Sequence, residues 1–149
     1  MAKLDKENNP VLKLIQKGKK LEKTGNIALT NKIFEKAWNI SSDNHEMCIS
    51  AHFLARNQSN LNDGLKWNIL ALNKAKKVKN PIIKSYFPSL YLCIGISYEN
   101  LSKHKIAKKY YDLSFSKIKY LSKDKGQEKY NKVIVKEITK RINNIQSMI

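Results

Sequence analysis

The stretch LYLCIGISYENLSKHKIAKKYYDLSF, residues 90–115, decides the fold. It reads as two amphipathic helices with a polar break at 100–105. Gly95 stands in the middle of the first helix, where an interior Gly costs about 0.5–1 kcal/mol relative to Ala. Close approach of a second helix is the usual compensation, so Gly95 points to a tight helix–helix contact.

The same grammar extends in both directions. Residues 1–9 are polar and read as a flexible N-terminus. Pro10 is suited to open a helix, because its missing N–H is not needed in the first turn. Val11, Leu12, Leu14, Ile15, Gly18 and Leu21 follow at helical spacing, Gly25 and Asn26 signal a turn, and Ile27 to Ile40 resume the period. Met47, Cys48, Ala51, Leu54 and Ala55 form a third stripe, residues 58–63 a polar connection, and 64–78 a helix with two apolar stripes. One stripe is Leu61, Leu65, Asn68, Leu72 and Ala75; the other is Trp67, Leu70, Ala71 and Val78. A helix apolar on two sides is sandwiched between neighbours. After the quoted pair and a loop at 122–126, a last helix carries Tyr130, Ile134, Ile138, Ile142 and Ile145 on one stripe, with Lys132, Lys136, Lys140 and Asn143 away from it. Apolar positions step by three and four, not two, so no strand is expected. The expectation is an all-α chain of seven helices joined by short loops.

The first two helices and the quoted two align at fixed offsets. Gly18 matches Gly95, Thr30 matches Ala107, Phe34 matches Tyr111, and Ala37 matches Ser114. Leu14 and Tyr91 precede the glycines by four residues, and Leu21 and Tyr98 follow them by three. On these residues the chain resembles the tetratricopeptide repeat, a helix–turn–helix unit with pattern W-x2-L-G-x2-Y…A-x3-F. Tyr91-x2-Ile94-Gly95-x2-Tyr98 and Ala107-x3-Tyr111 carry the match most closely. The first unit is looser, with Lys17 before its glycine and Thr30 at the small position. In the middle unit Ala51 is placed where Gly belongs, with Gly64 at the small position of a second helix starting one residue late, and either Trp67 or Asn68 at the aromatic position. The alternative puts His52 at the small position, which restores the spacing but sets a bulky polar group where helices meet. Segment 86–114 with AHFLARNQ (51–58) is also similar to small bacterial repeat proteins.

The resemblance implies three antiparallel helix pairs, at about 10–43, 44–80 and 81–121, with a capping helix at about 127–147, all in one tetratricopeptide-like domain spanning 10–149. It implies that Gly95 and Ala107 are the small residues of the crossing, with Tyr98 and Tyr111 filling the ends of the contact. The terminal helix then covers the last unit with a polar outer side.

Composition bounds the function. In 149 residues there are five Gly and three Pro, so loops are few; 42% hydrophobic residues suit a folded chain. Apolar runs are too short for a transmembrane helix, and MAKLDKENNP has no secretory apolar segment, so no membrane insertion and a cytoplasmic location are expected. The net charge is +17, from 29 basic against 12 acidic residues. That is compatible with nucleic acid or another anionic polymer. Only Arg56 and Arg141 among the cations are Arg, however, and Lys, Asn and Ile abound as in AT-rich coding. Lysines spread over solvated helix faces therefore account for the charge, and nucleic acid is the alternative partner rather than the favoured one.

No nucleotide-binding, metalloprotease, serine-hydrolase or CxxC motif occurs. Cys48 and Cys93 sit in apolar helical patterns and read as free buried thiols, not a disulfide framework. His45, Cys48 and His52 share one helix face, but a structural zinc site closes with four ligands, and no third group orients a Cys48–His52 nucleophile pair. No cofactor, no metal and no enzymatic activity is expected. What the resemblance implies is a protein- or peptide-binding scaffold whose groove is lined by the first helix of each pair: Lys19, Glu22 and Lys23; Cys48, His52 and Arg56; Ile96, Glu99 and Asn100. Arg56 is the foremost of these, since its planar fork pairs carboxylates bidentately. The competing reading ties Arg56 to Glu99 or an Asp as a structural ion pair.

Overall fold

The computed structural model describes residues 8–149. Among them the chain forms seven α-helices and no strand: α1 (Pro10–Lys23), α2 (Ile27–Ile40), α3 (Asn44–Ala55), α4 (Leu61–Lys76), α5 (Phe87–Asn100), α6 (His104–Ser116) and α7 (Glu128–Gln146). The expected flexible segment 1–9 lies outside the described residues as far as residue 7. Asn9 itself is ordered as the N-cap of α1. The chain divides between Val78 and Lys79 into two compact units, α1–α4 and α5–α7.

In the first unit the helix starts are set by short polar side chains. Asn9 accepts from Leu12 N–H at 3.0 Å, Asn26 from Leu29 N–H at 3.2 Å, Asp43 from Glu46 N–H at 2.8 Å, and Asn60 from Asn62 N–H at 2.8 Å. Each cap satisfies an N–H group that the helix cannot pair internally. The four caps fall 17 residues apart, at 9, 26, 43 and 60. They move one start from where the apolar pattern puts it: α4 begins at Leu61 rather than Gly64, while α3 begins at Asn44, where the middle unit is expected to start. Asn9 Nδ2 also donates to Glu46 Oε2 at 3.0 Å, which ties the start of α1 to the start of α3.

The hairpins α1–α2 and α5–α6 share one geometry. Gly25 N–H donates to Glu22 C=O and Ser102 N–H to Glu99 C=O; Thr30 N–H donates to Asn26 C=O and Ala107 N–H to Lys103 C=O. The loop residues Gly25 and Ser102 both have positive φ, 81° and 59°. In each hairpin an aromatic ring lies against the glycine. A Cβ on Gly95 would sit 2.6 Å from the Tyr111 ring and 3.3 Å from the Ala107 carbonyl, and one on Gly18 would fall on the ring of Phe34. Both rings are fully buried. The expected close approach of Gly95 to Ala107 is present, and Tyr111, expected at the end of the contact, instead lies directly on the glycine.

The middle hairpin, α3–α4, keeps the spacing of the other two. Gly64 N–H donates to Asn60 C=O as Thr30 N–H does to Asn26 C=O. Gly18 stands nine residues after the cap Asn9, and nine residues after Asp43 stands His52. His52, not Ala51, therefore takes the glycine position, and α4 does not start late. Counting as from Gly18 to Phe34, the aromatic position falls on Asn68, which is buried. Trp67 instead meets Trp38 of α2 edge-on at 5.1 Å. The middle hairpin thus carries a buried His where the other two carry Gly, and a buried Asn where they carry an aromatic ring.

In the second unit a 3-10 helix (Pro81–Tyr86) precedes α5, and two 3-10 turns (Ile118–Tyr120 and Lys125–Gln127) lie between α6 and α7. None of the three was anticipated from the apolar pattern. The core joins Leu92 of α5, Ala107 and Tyr111 of α6, and Ile134, Ile138 and Ile145 of α7. Ser114 Oγ donates to the Pro88 carbonyl at 2.6 Å, a buried bond between α5 and α6. Lys132, Lys136, Lys140 and Asn143 are exposed as their spacing predicts, and Tyr130, at the start of the stripe, is 41% exposed.

Two stability outcomes follow. Gly95→Ala gains helix propensity of about 0.5–1 kcal/mol but overpacks Tyr111 at about 1–3 kcal/mol. It is expected to destabilise the protein in urea unfolding, while Gly126→Ala, which meets nothing within 4 Å, leaves the midpoint in place. A chain ending at Lys125 loses three buried isoleucines worth roughly 1.5–3 kcal/mol each as an upper bound. It is expected to aggregate or unfold, and a monomeric truncated chain as stable as the parent contradicts the role given to α7.

Candidate functional site

The first-unit residues of the expected groove converge at the C-terminal ends of α1 and α3. Arg56 caps α3, and its Nη2 pairs with Glu22 Oε1 at 2.8 Å. Asn57 Nδ2 donates to Glu22 Oε2 at 2.8 Å, and Asn31 Nδ2 donates to the Asn57 carbonyl at 3.2 Å. The Arg56 guanidinium lies over the Phe53 ring, 5.2 Å from its centroid, with the Lys19 ammonium at 5.7 Å. Phe53 packs on Phe34 of α2 at 5.4 Å. Lys19 and Lys23 are exposed, and 46% of the Arg56 side chain is exposed. The ion-pair partner of Arg56 is thus Glu22, neither Glu99 nor an Asp.

Cys48 and His52 are placed differently from the expectation. Cys48 has no exposed surface and His52 is buried, so neither lines an open face. Both belong to α3, which is buried along nearly its whole length. Burial pushes the Cys48 thiol up to about 12. Burial, then the Arg56 and Lys19 charges, bring the His52 imidazole down to about 4. A thiolate–imidazolium pair needs shifts in the opposite sense. His52 Nδ1 is buried without a hydrogen-bond partner. Among the described residues no group of three His, Cys, Asp or Glu is arranged to hold a metal ion.

In the second unit α7 engages two of the three expected groove residues. Ile96 packs against the core shared with α7. Glu99 Oε1 accepts from Tyr111 OH at 2.6 Å and lies 3.7 Å from Arg141 Nη1, while Arg141 Nε donates to Glu137 Oε1 at 2.8 Å. Burial, then the Glu99 hydrogen bond, pushes the Tyr111 phenol well up. Asn100 is exposed. Glu22 and Glu99 stand four residues after Gly18 and Gly95, and the two arginines of the chain are the ones that pair with them. Sequence reasoning missed this repeated clasp, although Glu22 and Glu99 share the offset of the other matched positions.

Compared with known proteins the chain finds no counterpart: no family model, no curated protein and no solved structure matches it. Among the described residues no helix is long and apolar enough to cross a membrane.

The buried His52 makes stability depend on pH. Its folded value, about 4, lies below the ordinary 6.5, so the unfolded chain binds the extra proton. Stability is fully present above pH 6.5 and is lost as pH falls through 4, by on the order of 3 kcal/mol. Urea unfolding of the parent is expected to weaken across that window, and His52→Leu to flatten the dependence. An unchanged pH profile in the variant contradicts the assignment.

Proposed function

We propose that this chain is a non-enzymatic binding scaffold of tetratricopeptide type. It holds an extended acidic protein or peptide segment on the α1–α3 face of its first unit. The observation that carries this reading is the state of Arg56. One nitrogen of its fork is pinned by Glu22 and its plane rests on Phe53, while Nη1 and Nε have no partner among the described residues. A guanidinium held in place this way loses little freedom when it takes a carboxylate. Exposed Lys23 stands beside Glu22 on α1. Two further features support the scaffold. The first and second hairpins repeat at 34 residues, from cap Asn26 to cap Asn60, which is the length of a tetratricopeptide unit. The glycine–aromatic contact recurs in α1–α2 and α5–α6. The proposed face is narrower than the full groove set, because Cys48 and His52 are buried and Ile96 and Glu99 are engaged within the second unit.

The test is fluorescence anisotropy with labelled acidic peptides carrying interspersed apolar residues, against basic peptides and duplex DNA, at physiological salt. Acidic peptides are expected to bind, and Arg56→Ala and Lys23→Ala each to weaken binding by on the order of 1 kcal/mol with helicity intact. If both variants bind normally while changes at Lys74, Lys76 and Lys77 abolish binding, the face is misassigned. Tighter binding of DNA at that salt, with a steep salt slope, favours instead an anionic-polymer binder working through the +17 charge.

A further inference from the structure

Two 3-10 segments of the second unit, Pro81–Tyr86 and Ile118–Tyr120, pack against each other. Their meeting gathers three lysines around one half-buried ring. The ammonium groups of Lys84, Lys119 and Lys117 lie 5.3, 5.3 and 5.8 Å from the centroid of Tyr120. None of the three ammonium groups has an ion pair or hydrogen bond among the described residues, although the side chains of Lys108, Arg56 and Arg141 all have acidic partners.

The energetics of such a cluster are unbalanced. Each ammonium is attracted to the face of the ring. Each also repels the other two, more strongly at a protein surface than in open water. With no carboxylate present, the attraction of the ring is offset by the crowding of charge it produces. An anion bringing several negative charges into the same small volume adds an attraction at every ammonium, which outweighs the repulsion among them. The distances to the centroid mean that no two of the ammonium groups lie more than about 11 Å apart. Within that limit linked phosphates offer several oxygens to the three ammonium groups, whereas a single carboxylate has two oxygens and one charge to share among them. Lysine serves such ligands as a point charge without demanding a fixed fork geometry. The cluster is compact rather than drawn out along a helix, which suits a short phosphate chain better than a nucleic-acid backbone.

We propose that Lys84, Lys117 and Lys119 around Tyr120 form a binding site for two or three linked phosphates, as carried by an inorganic oligophosphate or the tail of a nucleotide. The site uses no residue of the α1–α3 face and does not depend on the reading given there.

The test is calorimetric titration of the full chain with tripolyphosphate, and separately with ATP free of divalent metal, at low and at physiological salt. Tripolyphosphate is expected to bind. Lys84→Ala and Lys119→Ala are each expected to weaken it roughly fivefold or more, and Tyr120→Leu to weaken it also. Lys105→Ala and Lys109→Ala, on the exposed side of α6, are expected to leave it unchanged. ATP is expected to show the same pattern, since the cluster reads the phosphate chain. The lysine variants keep the test decisive should Tyr120→Leu fold poorly. The proposal is overturned if tripolyphosphate fails to bind at low salt, or if the α6 variants lose as much as the cluster variants. It is equally overturned if ATP binds where tripolyphosphate does not, or if duplex DNA binding is lost in the cluster variants while tripolyphosphate does not bind at all.

Discussion

At Gly18 and Gly95 an aromatic ring occupies the space that any side chain on the glycine would need. The contact sets how closely α1 approaches α2 and how closely α5 approaches α6. It also fixes which residues of the second helix face inward, Thr30, Phe34 and Ala37 in one hairpin and Ala107, Tyr111 and Ser114 in the other. The middle hairpin obeys the same spacing with other residues at the two positions, buried His52 on one helix and buried Asn68 on the other. Its cost is a buried imidazole held neutral, with Nδ1 unsatisfied. Unpaired buried polar atoms destabilise by about 1–3 kcal/mol, so this hairpin is where acid acts on the first unit.

A second device is laid over the first. The carboxylate four residues after each glycine reaches an arginine on a later helix: Glu22 to Arg56 of α3 and Glu99 to Arg141 of α7. Exposed pairs of this kind contribute little energy, about 0–1 kcal/mol, but they fix orientation. In the second unit the clasp is closed on both sides, since Tyr111 OH also binds Glu99 and Glu137 holds Arg141. In the first Asn57 holds Glu22, since Phe34 has no hydroxyl, and the clasp is open on the arginine side, where Arg56 keeps donors to spare. The same repeated element therefore acts as a tie in one unit and offers a binding group in the other.

The helices were legible in the sequence because apolar steps of three and four leave no other reading, and the glycine–aromatic offset was legible because it occurs twice. The helix starts were less so. Asn9, Asn26, Asp43 and Asn60 mark them at equal spacing, but a cap is a polar residue among many in a chain rich in Asn and Lys, and hydrophobic pattern alone places α4 a turn late. The middle register was misread because a His at a close contact looks unfavourable, and the cap Asp43 that sets the spacing carries no apolar signal. Of the site, Arg56 with Glu22 and Lys23 was legible as a cationic face. The burial of Cys48 and His52 was not, since periodicity places residues on a helix without telling how many sides of that helix are covered. Lys84, Lys117 and Lys119 were invisible for a different reason: two 3-10 segments distant in sequence bring them together, and 3-10 turns leave no periodic signature.

Everything in both units rests on the rings lying on the glycines, and proton NMR reads that contact directly. Ring currents from Phe34 and Tyr111 are expected to move the α protons of Gly18 and Gly95 well upfield. Each should show cross-relaxation to its ring, while Gly126, which has nothing near it, stays at an ordinary position. If the α protons of Gly18 and Gly95 instead resonate beside those of Gly126, with no cross-peak to either ring, the packing described for both hairpins is contradicted.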